Sequence, residues 1–103
     1  VGETVLEYAT RLVRRTRPED PTAPEYARRW VGWGAGPRAT QALILAGKAR
    51  ALLRGRLAVS REDVKELAMP VLRHRVIPSF AAEAEGVTAE DIVRRLIEET
   101  PFQ

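Results

Sequence analysis

The sequence predicts an all-α protein, a small four-helix bundle, on three observations. Apolar residues recur at helical spacing in four separate stretches, residues that start or stop helices bracket those stretches, and 103 residues suffice for one core but not two. The expected organisation is a single helical domain spanning residues 1–103.

The first helix is expected from Thr4 to Arg17, where Val5, Leu6, Ala9, Leu12 and Val13 form one stripe. Pro18, Pro21 and Pro24 remove amide donors and bias their predecessors away from helix, so Pro18 to Glu25 reads as an exposed loop with a mobile tip. Tyr26 to Trp33 reads as irregular, with one short helical turn, before the turn-forming run Gly32-Trp33-Gly34-Ala35-Gly36-Pro37. Pro37 suits the first position of a helix, whose amide has no intrahelical partner. The Ala- and Leu-rich run Arg38 to Arg54 continues that second helix, the most apolar and the expected centre of the bundle, and Gly55 stops it in a left-handed conformation.

Ser60 can cap the third helix, with Glu62 and Asp63 in its first turn and Val64, Leu67, Ala68, Val71 and Leu72 as its stripe; Pro70 predicts a kink or an early break. Beyond Val76 and Ile77, Pro78 begins a connection to Gly86 with a short helical turn at Ala81 to Glu85. Thr88 to Asp91 resembles a capping sequence, with aspartate in place of the longer Glu or Gln. Ile92, Val93, Leu96 and Ile97 supply the stripe of the fourth helix, which Pro101 ends.

Composition narrows the function classes. Hydrophobic residues at 45% and charged residues at 30% are ordinary for a folded domain. No apolar run approaches the ~18 residues that span a bilayer, the start has no signal-peptide pattern, and the absence of cysteine removes disulfides and thiolate metal sites; a cytoplasmic location is the expectation. The chain opens on valine and its one methionine is Met69, which reads as a piece of a longer protein. A net charge of +3 favours anionic partners without naming one.

Catalytic chemistry finds no residues here. There is no Gly-rich phosphate loop ending in Gly-Lys-Ser/Thr and no paired acidic residues after an apolar strand to hold magnesium. His74 has no second His or Cys to complete a metal site. Glu83 and Glu85 are two apart, which on a helix points them in different directions. One residue stands out: Arg38 lies in the first turn of the second helix, where the positive helix end disfavours a cation by about 0.3–1 kcal/mol. An anion opposite it would explain the placement, because amides at a helix start and a guanidinium together suit phosphate; the plainer account is a long side chain bending into water.

Gly34-Ala35-Gly36-Pro37-Arg38-Ala39 resembles the G-A-S-P-R-A motif of the MoxR branch of AAA+ ATPases. Gly55-Arg56, Val59 and Asp63-Val64 resemble that family's G-R-x-x-V-x-x-x-D-V stretch, and Val71-Leu72-Arg73-His74-Arg75 its V-L-R-H-R. The resemblance covers nearly the whole chain. It implies the lid that closes over the ATP site of a separate core, with Arg38 as the sensor-2 arginine at the nucleotide's terminal phosphates and Gly36 and Pro37 at the helix start beside them. It also implies ATP as ligand, magnesium held by the core, a hexameric parent ATPase, and chaperone-like work on clients that often carry von Willebrand factor A domains. Gly36 departs from the motif's serine and gives up a side-chain cap. His74 and Arg75 are expected to be structural, and Trp30 and Trp33 to be packing anchors.

Two rival classes remain at this stage. A nucleic-acid-binding module is suggested by Arg11, Arg14, Arg15 and Arg17, by Arg28 and Arg29, and by Arg73 and Arg75, but acidic residues interleave and no helix reads as a recognition helix. A protein-interaction module would expose Trp30, Trp33 or Phe80 to a partner.

Overall fold

A computed structural model describes residues 2–102. Four long helices carry the fold: α1 (Glu3–Arg15), α3 (Pro37–Leu53), α4 (Arg61–Leu72) and α6 (Ala89–Glu99). Two short helices, α2 (Glu25–Trp30) and α5 (Phe80–Glu85), and a ribbon of β1 (Val31–Trp33) with β2 (Ile77–Pro78) complete it. The all-α expectation holds, and the four long helices are the four expected from the sequence.

Helix ends follow local chemistry. Ser60 and Thr88 each accept from the amide three residues on, and the carboxylates of Asp63 and Asp91 accept from the Ser60 and Thr88 amides in return. Aspartate therefore closes both capping boxes despite its short reach. Gly55 has φ 73°, and the amides of Gly55 and Arg56 bond back to the carbonyls of Leu52 and Ala51, ending α3 in a left-handed turn. Helix α4 continues two residues past Pro70, so the early break does not occur. Pro70 lies in the last turn, where its fixed φ is helical and one missing amide costs little continuity.

The core gathers Tyr8 and Leu12 of α1, Leu43 of α3, Leu72 of α4, and Ile92 and Leu96 of α6, all fully buried. Helix α3 packs on both α1 and α4. It approaches α4 closely at Gly47, where a Cβ would lie 3.2–3.3 Å from the methyls of Val59 and Val64. Its inner face buries Ala39, Leu43, Gly47 and Ala51, yet Leu45, Leu52 and Leu53 stand 70%, 65% and 89% exposed. The most apolar helix is thus central on one side only.

The segment from Tyr26 departs from its irregular reading. Glu25–Trp30 is a six-residue helix, and the chain then pairs antiparallel with β2, Trp33 opposite Ile77. Strands of three and two residues are too short for their period to show in a sequence. Trp30 packs against the core, as expected of an anchor. Trp33 does not: it is 72% exposed, because its strand is an edge of the ribbon with nothing stacked on that face.

The proline loop is tied down by Asp20. Its carboxylate takes the amide and hydroxyl of Thr22 at 2.8 and 2.6 Å and the Arg14 guanidinium at 2.9 Å. The Thr22 hydroxyl, then Arg14, hold the Asp20 carboxyl down to about 2.

Candidate functional site

The start of α3 is held from below by the end of α1. The Thr16 hydroxyl, fully buried, donates to the Val13 carbonyl at 2.6 Å and accepts from the Ala35 amide at 3.0 Å. Arg17 donates through Nη1 to the Ala35 carbonyl at 3.0 Å. Both backbone groups of Ala35 are thereby fixed to α1. Gly34 makes this approach possible: a Cβ there would fall 2.5 Å from the Thr16 carbonyl oxygen and 2.8 Å from the Arg17 Cα. The first glycine of the resembling motif is required by backbone contact, and the contact residues Thr16 and Arg17, distant in sequence, carry no signal that names them.

Gly36 is the N-cap of α3 in extended conformation, with no side-chain cap, and Pro37 occupies the first turn. A Cβ on Gly36 would meet nothing nearer than the Arg17 Nη1 at 3.8 Å. Serine should therefore fit, and Gly36→Ser is expected to raise stability by a few tenths of a kcal/mol, read as a small upward shift of the urea midpoint with unchanged slope.

Arg38 points outward from this braced corner. Its side chain is exposed, and the ion pairs among the described residues leave it out. It borders a shallow open depression with Trp33, Gly36, His74, Arg75 and Ile77. No Asp or Glu occurs between Tyr26 and Arg61, so the corner is cationic without a nearby carboxylate in sequence. A phosphate fits such a corner, with a guanidinium beside a helix start. A magnesium ion finds no oxygen ligand of its own among these side chains. Among the described residues no three of His, Cys, Asp and Glu are placed to hold a metal.

The other two resembling motifs acquire structural roles. Asp63 is fully buried and receives Arg50 at 2.6 Å and Arg56 at 2.5 and 2.7 Å, together with the Ser60 amide at 2.8 Å. One carboxylate so joins α3, the turn after it and the start of α4. Arg56 foremost, with Ser60 and Arg50, holds the Asp63 carboxyl far below the usual range. Sequence reading placed Asp63 in an acidic first turn; its burial depends on Arg50 thirteen residues back, on another helix. At the other motif, Arg75 donates through Nη1 to the Val71 carbonyl at 2.7 Å, satisfying an orphan acceptor at the end of α4. Arg73 lies 3.8 Å from Glu90.

Several of the clustered arginines are paired within the chain, mostly at its surface. Arg29 pairs with Glu85, Arg28 reaches the carbonyls of Asp20 and Pro21, and Arg11 and Arg15 bind the Pro101 carbonyl and the Thr100 hydroxyl. Groups committed in this way are poorly placed to track a phosphate backbone.

Comparison with known proteins identifies the family and the fold. The family model of the AAA lid domain matches residues 25–96. The chaperone MoxR1 of Mycobacterium tuberculosis is 34% identical over 98 residues, which are 95% of this chain and 26% of that protein. The protein YeaC of Bacillus subtilis is 35% identical over 95 residues, 92% of this chain and 27% of its own length. A crystal structure from Cytophaga hutchinsonii, described as a candidate ATPase, superposes with a TM-score of 0.89 at 32% identity, over 97% of this chain and 30% of that one. The chain therefore spans about a quarter to under a third of the length of each of these three proteins.

Proposed function

Given that the chain belongs to the AAA lid domain family and is homologous to the MoxR chaperones, we propose that it serves as the lid of a MoxR-type ATPase, closing over the ATP site of a separate nucleotide-binding core. Residues 1–103 form one helical lid domain in this reading. Arg38 is the sensor-2 residue: its guanidinium meets the terminal phosphates of ATP and couples nucleotide state to the angle between lid and core. Gly36 and Pro37 set the helix start beside those phosphates. The observation that carries the reading is a guanidinium left unpaired on a rigidly braced helix start. ATP is the substrate of the whole ATPase, and magnesium belongs with the carboxylates of the core. The wider reading is a hexamer in the cytoplasm, remodelling client proteins that include von Willebrand factor A domains. No helix among the described residues is long and apolar enough to cross a membrane.

The test is ATP turnover by the full ATPase under saturating magnesium, with Arg38 and with Arg38→Ala. Turnover should fall at least about tenfold, the equivalent of roughly 1.4 kcal/mol, while assembly and melting temperature stay the same. Unchanged binding and turnover would remove Arg38 from the site.

A further inference from the structure

We infer that the segment following α6, Thr100-Pro101-Phe102, is a strap that sets the corner around Arg38 by holding the end of α1. Extended chain outside a helix must find partners for its backbone groups in water or in other elements. Here it finds them on α1 and α4. Arg11 donates through Nη1 to the Pro101 carbonyl at 2.8 Å, Arg15 through Nη1 to the Thr100 hydroxyl at 2.8 Å, and Arg61 reaches the Phe102 carbonyl at 3.4 Å. The Phe102 ring packs nearly perpendicular to that of Tyr8 on α1, with centroids 4.9 Å apart, and the Arg61 guanidinium lies over it at 5.3 Å.

Three consecutive residues carry the connection to α3. Arg15 holds the strap, while Thr16 and Arg17 hold the amide and the carbonyl of Ala35. Helix α1 ends at Arg15 and Thr16 is its C-cap, so no residue lies between strap and brace to take up slack. Ala35 in turn stands three residues before Arg38. Arg11 and Arg15, four apart, share one face of α1, and the strap lies along it.

The strap is also built to lift. Pro101 and Phe102 are exposed, so its contacts lie at the surface. Tyr8 beneath Phe102 is fully buried, and its hydroxyl finds no hydrogen-bond partner in the chain. Burial of an unpaired hydroxyl opposes closure, which places opening of the strap among the local motions that need no global unfolding.

The experiment follows hydrogen exchange of the Ala35 amide in the 103-residue chain, with Thr100→Val, which keeps the shape of residue 100 and removes the acceptor of Arg15. Thr100→Ser keeps the hydroxyl and serves as the rescue. Ala35 should exchange at least about tenfold faster in Thr100→Val and at the native rate in Thr100→Ser, while the amides of Leu43 and Ile92 stay within about threefold. Phe102→Ala should move Ala35 in the same direction, and if it fails to fold the Thr100 pair decides alone.

A uniform rise at Ala35, Leu43 and Ile92 would make the segment a staple of global stability and overturn the strap. So would an unmoved Ala35 amide, even where Arg38→Ala is impaired in ATP turnover. The strap rests on the sensor reading of Arg38 only for its effect on ATP, and in the full ATPase Thr100→Val should lower turnover along with the protection of Ala35. Selective loss of that protection with normal turnover in both Thr100→Val and Arg38→Ala removes the sensor role and upholds the strap. An impaired Arg38→Ala beside normal turnover in Thr100→Val overturns the strap's control of the corner.

Discussion

Asp63→Ala is expected to lower the melting temperature by roughly 10–30 °C at neutral pH, on a loss of about 2–4 kcal/mol and about 4–8 °C per kcal/mol for a domain of this size. The substitution removes the capping box of α4 and the one carboxylate shared by Arg50 and Arg56. Breaking a buried pair from one side costs more than the pair contributes, because the partner charge is stranded. Arg56 is 40% exposed and can turn to water, which keeps the expected loss in the lower part of the usual range. A calorimetric scan of Asp63→Ala checks this, and a shift under about 3 °C would show that the two arginines repack without it.

The same carboxylate gives a signed pH dependence. Its folded-state value lies far below that of the unfolded chain, so the unfolded state binds protons first as the pH drops. Stability from Asp63 is complete above the ordinary aspartate value near pH 4 and is lost progressively below it. Asp20, held to about 2, acts in the same direction. Asp63→Asn should therefore be less stable than the native chain at pH 7 and lose less between pH 5 and pH 2. Parallel urea midpoints across that range would refute the assignment.

The second large effect falls on a residue with no side chain. Gly34→Ala should cost about 2–4 kcal/mol, because the new methyl would meet Thr16 and Arg17 backbone atoms at 2.5–2.8 Å and cannot rotate away. The accommodating shift pulls Ala35 from the Thr16 hydroxyl and from Arg17, and so re-aims the first turn of α3. Displacements of about 1 Å at a reacting group can cost on the order of a hundredfold in rate, so turnover of the full ATPase should fall along with the melting temperature. Gly36→Ser, two residues on and meeting nothing nearer than 3.8 Å, supplies the control for stability: its melting temperature should stay at or slightly above the native value. Equal effects at the two positions would mean that the Thr16 brace has no part in placing Arg38.

What the sequence disclosed, and what it hid, divides by the range of the interaction. Helix starts at Pro37, Ser60 and Thr88 and the stop at Gly55 depend on atoms within a few residues, and each was legible. The position of Arg38 in the first turn of α3 was legible for the same reason. The Thr16–Ala35 bond, the buried Asp63 and the Trp33–Ile77 pairing join residues 13 to 44 apart, and nothing local marks them. Trp33 was misjudged because a large apolar residue ordinarily means packing, and only the ribbon's open face shows otherwise.

Helix α3 is clamped at its two ends by unlike means. Thr16 and Arg17 grip the segment leading into it, and Asp63 grips Arg50 and the turn behind it, with dry contacts at Leu43 and Gly47 in between. Such a beam cannot bend or slide without releasing a polar anchor. A displacement of the first turn of α3 would therefore be felt at the start of α4, which Arg50 contacts roughly 18 Å along the helix from Arg38. In the lid role proposed above, the domain would turn as a single lever rather than bend within itself.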